Sequence, residues 1–245
     1  MFLFLWGFVI EPEIIVLKKY KTNSFGNKKI VFLSDLHISK HDIGRLRKIV
    51  KIVNEQNPDL VLSGGDYIYG FSDDTSMLIE KQVEELKKIK APVISILGNH
   101  DNIYDKYTVK NALESIGIKV LINSSTKFEN IYIAGVDDLK TGWPNIQTAL
   151  ENTGFPRILL THTPDIYYDI KDDVDLILAG HVHGGQVRVP FLGSLIVPSK
   201  FGTKFAVGDF KETQNRMIVT KGLGTSILRV RFCCLPEIVV IESSD

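Results

Sequence analysis

Aspartate, asparagine and histidine follow the ends of five apolar runs in this chain. IVFLSDLH ends on Asp35 and His37, LVLSGGD on Asp66, VISILGNHD on Asn99, His100 and Asp101, RILLTHTPD on His162, and LILAGHVHGG on His181 and His183. Five of the 6 histidines stand in these segments, leaving only His41 elsewhere. Taken singly, each has an ordinary use: Asp35 or Asp66 could cap a helix, Asn99 could hold a turn, and a lone histidine could be a hydrogen-bonded structural residue. Taken together they make a donor set. Imidazole and carboxylate without thiolate suit Mn, Fe, Zn, Co or Ni better than a cysteine-rich structural zinc site or an all-oxygen calcium site. One carboxylate can bridge two such ions about 3.5–4 Å apart, and the pair can generate hydroxide near neutral pH and hold both oxygens of an in-line displacement at phosphorus. Phosphoester hydrolysis is the natural use.

The elements that must position these residues alternate in period. Ile43, Leu46, Ile49, Val50 and Val53 have helical spacing between the apolar runs Ile30 to Leu33 and Leu60 to Leu62, which makes one βαβ unit. A second helical stretch, Leu78 to Ile89, leads to a strand at Val93 to Leu97, and a third, Val109 to Ile116, leads to Val120 to Ile122. From Val187 the pattern changes to short strands punctuated by Gly and Pro: Val187 to Val189, Leu195 to Val197, Phe205 to Val207, Met217 to Thr220, Leu228 to Phe232 and Ile238 to Ile241. This order predicts an α/β fold, a four-layer α/β/β/α sandwich of two mixed sheets flanked by helices. Ligands bind beyond the carboxyl ends of strands in such sheets, so the five loops should converge on one edge.

SDLH, GGD, GNHD, THTPD and GHVHGG resemble, in order, the five motifs of the calcineurin-like metallophosphoesterases. The resemblance implies that Asp35, His37 and His183 bind a first metal, that Asn99, His162 and His181 bind a second, and that Asp66 bridges them. It further implies that His100 faces the leaving group, protonating or stabilising its oxygen, with Asp101 orienting the ring. GHVHGGQVRVPFLG, KGLGTS and RFCCLPEIVVIE extend the likeness to a branch of small, often membrane-anchored phosphodiesterases. Some of its members are described as acting on UDP-diacylglucosamine or similar lipid-linked pyrophosphates. A phosphodiester or pyrophosphate substrate, lipid-linked or nucleotide-linked, is implied. The protein Ser/Thr phosphatases differ: they carry Asp and Arg shortly after the bridging aspartate, where this chain has Tyr67-Ile68-Tyr69-Gly70.

Composition sets the outer bounds. The 245 residues are 44% hydrophobic, with no segment that invites division, so residues 29–245 are expected to form one domain that also takes in the apolar segment and first strand of residues 1–28. Lys plus Arg (29) balances Asp plus Glu (29), which offers no broad field for double-stranded nucleic acid. The 2 cysteines are neighbours, Cys233 and Cys234, and point to no oxidising compartment, so cytoplasm is the default. Met1 to Ile10 is uniformly apolar but far short of the roughly 20 residues that span a bilayer. It is either a packed lead-in to the strand at Ile14 to Leu17 or a membrane-surface foot followed by Lys18, Lys19 and Lys21.

On the substrate side, Gly184 and Gly185 let backbone approach the metals or a phosphate, and Arg188 either neutralises a phosphate oxygen or faces solvent. Phe191, Leu192, Leu195, Ile196 and Phe201 either complete the core or line a groove. Gly222-Leu223-Gly224 reads as a loop. The expected protein is a two-metal phosphoesterase, manganese favoured, with His100 and Asp66 catalytic. A phosphomonoesterase or a non-catalytic scaffold of the same fold is the alternative.

Overall fold

The computed structural model describes residues 2–39, 42–69, 79–194 and 196–243. Two six-stranded sheets form the body. The first takes β1 (Val16–Lys21), β2 (Ile30–Leu33), β3 (Leu60–Ser63), β4 (Val93–Ser95) and β5 (Lys119–Val120). The second takes β6 (Ser124–Phe128), β7 (Ile131–Gly135), β8 (Arg157–Thr161) and β9 (Leu176–Ala179). A hairpin, β10 (Arg188–Val189) with β11 (Gly193–Ser194), follows, and β12 (Gly208–Phe210) and β13 (Met217–Val219) complete the second sheet. The last strand, β14 (Glu237–Glu242), returns to the first sheet, pairing parallel with β1 and antiparallel with β2. Orders are β1-β14-β2-β3-β4-β5 and β12-β13-β9-β8-β7-β6, and both sheets are mixed.

Three apolar layers account for the stacking. Phe32, Leu62 and Ile94 of the first sheet meet Ile133, Leu160 and Leu178 of the second in the middle layer. Truncating one such side chain to Ala costs about 2–5 kcal/mol. A short helix, α1 (Phe2–Leu5), precedes β1, and outside the first sheet lie α2 (Ile43–Glu55), α3 (Ile79–Val83) and α4 (Asn99–Ser115). Leu46, Ile49, Val50 and Val53 give α2 one buried face at helical spacing, packed on Val31 and Leu33. Outside the second sheet, α5 (Ile146–Leu150) and the turn Pro164–Asp169 cover Leu159 and Ile177. The four-layer α/β/β/α sandwich is the fold expected from the sequence.

Departures fall where local pattern is shortest. The helical stretch from Leu78 begins, among the described residues, as α3 and tightens into a 3₁₀ turn at Glu84–Lys88; Leu78 itself, His41, Gly70 and Leu195 lie outside them. The third helix starts ten residues earlier than its apolar spacing suggests, at Asn99, because Gly98 and the Asp101 side chain cap it inside the GNHD motif. Phe205 to Val207 is turn rather than strand: Phe205 is buried among Tyr167, Tyr168, Phe201 and Phe210, and that aromatic packing replaces a ladder. Leu228 to Phe232 is also irregular, since Arg231 turns inward. At the N-terminus, short helical turns over residues 2–13 pack through Gly7 and Glu11 and expose Phe4, Leu5, Phe8 and Val9, leading into β1. No helix among the described residues is long and apolar enough to cross a membrane.

Candidate metal centre

Parallel pairing of β2, β3 and β4 brings Asp35, Asp66 and Asn99 to one sheet edge, and parallel pairing of β8 and β9 does the same for His162 and His181. Stacking of the sheets joins the two sets. Leaving a strand and turning a side chain back over its end demands unusual backbone: Asp35, His37, Asp66, His181 and His183 all have left-handed φ, between 42° and 69°. Such residues cost about 1–3 kcal/mol each and persist where the surroundings over-determine them. Here the surroundings are tight. A Cβ at Gly98 would strike the Asp66 carboxylate, and one at Gly222 would sit 2.7 Å from Asp35 Cβ. The G-x-G turn that reads only as a loop in sequence is thus needed for close approach.

The donors gather as two groups. Asp35, His37 and His183 form one, with His37 Nε2 and His183 Nε2 3.0 Å apart and His183 Nε2 3.5 Å from Asp35 Oδ1. Asp66, His162 and His181 form the other, with His162 Nε2 3.2 Å from Asp66 Oδ2 and 3.2 Å from His181 Nδ1. Asn99 Oδ1 lies 3.1 Å from the same His162 Nε2. Asp66 Oδ2 is also 3.5 Å from His37 Nε2, so this carboxylate stands between the groups. His37 Nδ1 donates to Ile68 O at 3.1 Å and His162 Nδ1 to Gly64 O at 2.7 Å, which fixes both tautomers and aims each Nε2 inward.

Burial and charge set the protonation of this cluster. Burial drops His37 to about 4 and, helped by the charge of His162, His181 to about 2, so both rings are neutral donors near pH 7. Burial also pushes down His162, but Asp66 and Asp35 outweigh it and lift that imidazole to about 10. Burial raises Asp35 to about 6, whereas the histidines around Asp66 overcome burial and hold it far below the usual carboxylate range. Neutral His37, His181 and His183, His162 once it gives up its proton, two carboxylates and an amide oxygen, with no ammonium or guanidinium among them, fit two divalent transition-metal ions.

His100 sits beside the donors, farther from Asp66 than His37 or His162. Its Nε2 is 4.0 Å from Asp66 Oδ2 and 3.2 Å from Ser226 Oγ. A group of His37, Asp66 and His100 is also close enough to share an ion. Asp101, which the family resemblance casts as a residue that could orient His100, gives its carboxylate to the backbone amides of Gly98, Asp66, Tyr67 and Ile68. Arg188, read from the sequence as either a phosphate contact or a solvent-facing residue, donates to Gly184 O at 3.2 Å and Ser194 Oγ at 2.9 Å, bracing the turn behind His183. It lines a separate cleft with Lys18, Tyr20 and Lys221. Two residues carry no sequence signal. Ser226 is held by Gln186, whose side chain accepts its amide and donates to its carbonyl. Arg231 is fully buried and donates to the carbonyls of Lys221, Gly222, Gly224 and Cys234, pinning the glycine turn over Asp35.

Known proteins place this arrangement. Residues 28–185 match the calcineurin-like phosphoesterase family. The chain is 32% identical over 249 residues to the uncharacterized metallophosphoesterase YkuE of Bacillus subtilis strain 168, covering 94% of this chain and 86% of that one. It is 32% identical over 231 residues to the phosphodiesterase YaeI of Escherichia coli strain K12, covering 87% and 81%. The crystal structure of TT1561 of Thermus thermophilus shares the fold with a TM-score of 0.54 at 14% identity, over 80% of this chain and 90% of that one. The class is that of metallophosphoesterases, hydrolases acting on phosphoric ester bonds. The chain belongs to the calcineurin-like phosphoesterase family.

Proposed function

We propose that this chain hydrolyses a phosphodiester or pyrophosphate bond with two divalent ions, manganese favoured. Asp35, His37 and His183 would hold one ion, Asn99, His162 and His181 the other, and Asp66 both. The observation that carries the reading is the position of Asp66 Oδ2, 3.5 Å from His37 Nε2 and 3.2 Å from His162 Nε2, between two otherwise separate donor groups. When bound, such a pair supplies Lewis acidity and lowers the pKa of water.

The chain's own groups supply the rest. Asp35 and Asp66 bring two negative charges against the four of two divalent ions, so the loaded centre is cationic and attracts a phosphate group. His100, steadied by Ser226 Oγ at 3.2 Å, hands a proton to the departing oxygen. Asp101 and Arg231 keep the Asp66 and Gly222 turns in place by hydrogen bonds to their backbone. The likeness to a relative named phosphodiesterase supports the diester reading. The outward Phe4, Leu5, Phe8 and Val9 support contact of the N-terminal segment with a membrane surface.

Metal-stripped protein assayed on paired chromogenic diester and monoester substrates, with and without manganese, tests this. Manganese-dependent turnover favouring the diester is expected. A monoester preference would make the protein a phosphatase, and no turnover of either with metal bound would leave a scaffold.

A further inference from the structure

A cavity of about 90 Å³ opens directly beside His37, its walls including Phe8, Tyr69, the carboxylates Glu13 and Asp42, and the guanidinium groups of Arg45 and Arg229. Some 10–15 Å³ of such space holds one water, so this one has room for a polyatomic group. Its cations differ in how they are engaged. Arg45 is partly buried and its guanidinium is taken up by the carbonyls of Pro12 and Leu223, with Glu13 at 3.7 Å. Arg229 is 43% exposed and lies over the Tyr69 ring, 4.5 Å from its centroid. Only its Nη2 finds acceptors among the described residues, Ser39 Oγ at 2.7 Å and Asp42 Oδ2 at 3.4 Å.

We propose that this cavity is a subsite for a second anionic group of the substrate, the phosphoryl adjoining the one cleaved in a phosphoanhydride, and that Arg229 recognises it. The inference rests on the metal-centre reading above and narrows it from phosphoesters in general to pyrophosphate-linked substrates. The distance is short: His37 is at once a wall of the cavity and a member of the first donor group, so adjoining phosphoryl groups can occupy the two places together. A guanidinium fork matches phosphate oxygens in pairs, and stacking on Tyr69 orders the fork before anything binds. The contact to Asp42 is long and open to solvent, worth little, and yields readily to a better acceptor. Phe8 supplies an apolar wall that removes water from one side and strengthens the charge interaction. A monoester leaves the subsite to water and gains nothing from it.

The test is calorimetric titration of manganese-loaded protein with inorganic phosphate and with methylenediphosphonate, which carries two phosphoryl groups on an unhydrolysable bridge. Arg229→Ala is expected to weaken methylenediphosphonate roughly tenfold or more, the size of one charge-assisted contact, while phosphate changes less than about twofold. Arg229→Lys is expected to recover part of the loss. Arg229 is on the surface, and circular dichroism checks that each variant folds. Equal weakening of both probes, or unchanged binding of methylenediphosphonate, overturns the subsite and leaves the metal centre standing. Binding of neither probe by the loaded wild-type protein overturns both.

Discussion

The Asp101 carboxylate accepts the backbone amide of Asp66 at 2.8 Å, and Asp66 Oδ1 accepts the amide of His100 at 2.9 Å, so the start of α4 and the Asp66 turn clasp each other. Two more amides of that turn, Tyr67 and Ile68, also point at Asp101. Asp101→Asn replaces one acceptor oxygen by a donor facing N–H groups. It should cost about 2 kcal/mol in urea unfolding and lower metal content along with turnover. Lost turnover with stability and metal both intact would instead make Asp101 a partner of the His100 ring.

Asp66→Asn should leave the fold largely in place, because an amide of the same shape still accepts the His100 amide, yet it removes the charge between the two donor groups. Turnover should fall below detection and bound metal should drop by at least one ion per chain, measured by elemental analysis. Wild-type rates in this variant would remove Asp66 from the bridging position.

His100→Ala separates the two uses open to that ring. As a proton donor, its loss should lower turnover about 10²–10⁴-fold, more for poor leaving groups than for nitrophenol, with metal content unchanged. As a ligand, its loss should take metal with it.

Much of this site was legible because type and position coincide: Asp, Asn and His after five apolar runs, on parallel strands whose carboxyl ends must share an edge. What was not legible depends on long-range closure. Ser226 reaches His100 across 126 positions only because Gln186 clamps its backbone, and Arg231 looks like a surface residue until its carbonyl partners from the 221–224 turn are in place. The left-handed φ of Asp35, His37, Asp66, His181 and His183 likewise leaves no mark in side-chain type, since residues other than glycine hold it under tertiary constraint. Arg188 reads as available because its acceptor, the Gly184 carbonyl, is backbone.

The outward residues of the N-terminal segment make a separable prediction. If Phe4, Leu5, Phe8 and Val9 meet lipid, the full chain should sediment with anionic vesicles and a chain lacking residues 1–10 should not. Equal sedimentation assigns the segment to packing through Gly7 and Glu11 alone. Because Phe8 also walls the cavity beside His37, the shortened chain should in addition bind methylenediphosphonate more weakly.

Metal binding should release a proton, and His162 identifies it. Its folded pKa of about 10 stands above the ordinary 6.5 because Asp66 and Asp35 outweigh burial. That proton therefore stabilises the metal-free fold fully below about pH 6.5, and the contribution fades as pH rises through about 10. Asp66 works the other way: its depressed pKa stabilises the fold above its ordinary 3.8 and is lost in stronger acid. A cation taking the Nε2 of His162 must displace the proton, so affinity should climb with pH between about 6 and 9. Calorimetric titration of manganese at about pH 8 in buffers of differing ionisation enthalpy should show about one proton released per chain. His162→Gln, which has no such proton, should show none, and an unchanged release in that variant would place the titrating group elsewhere in the centre.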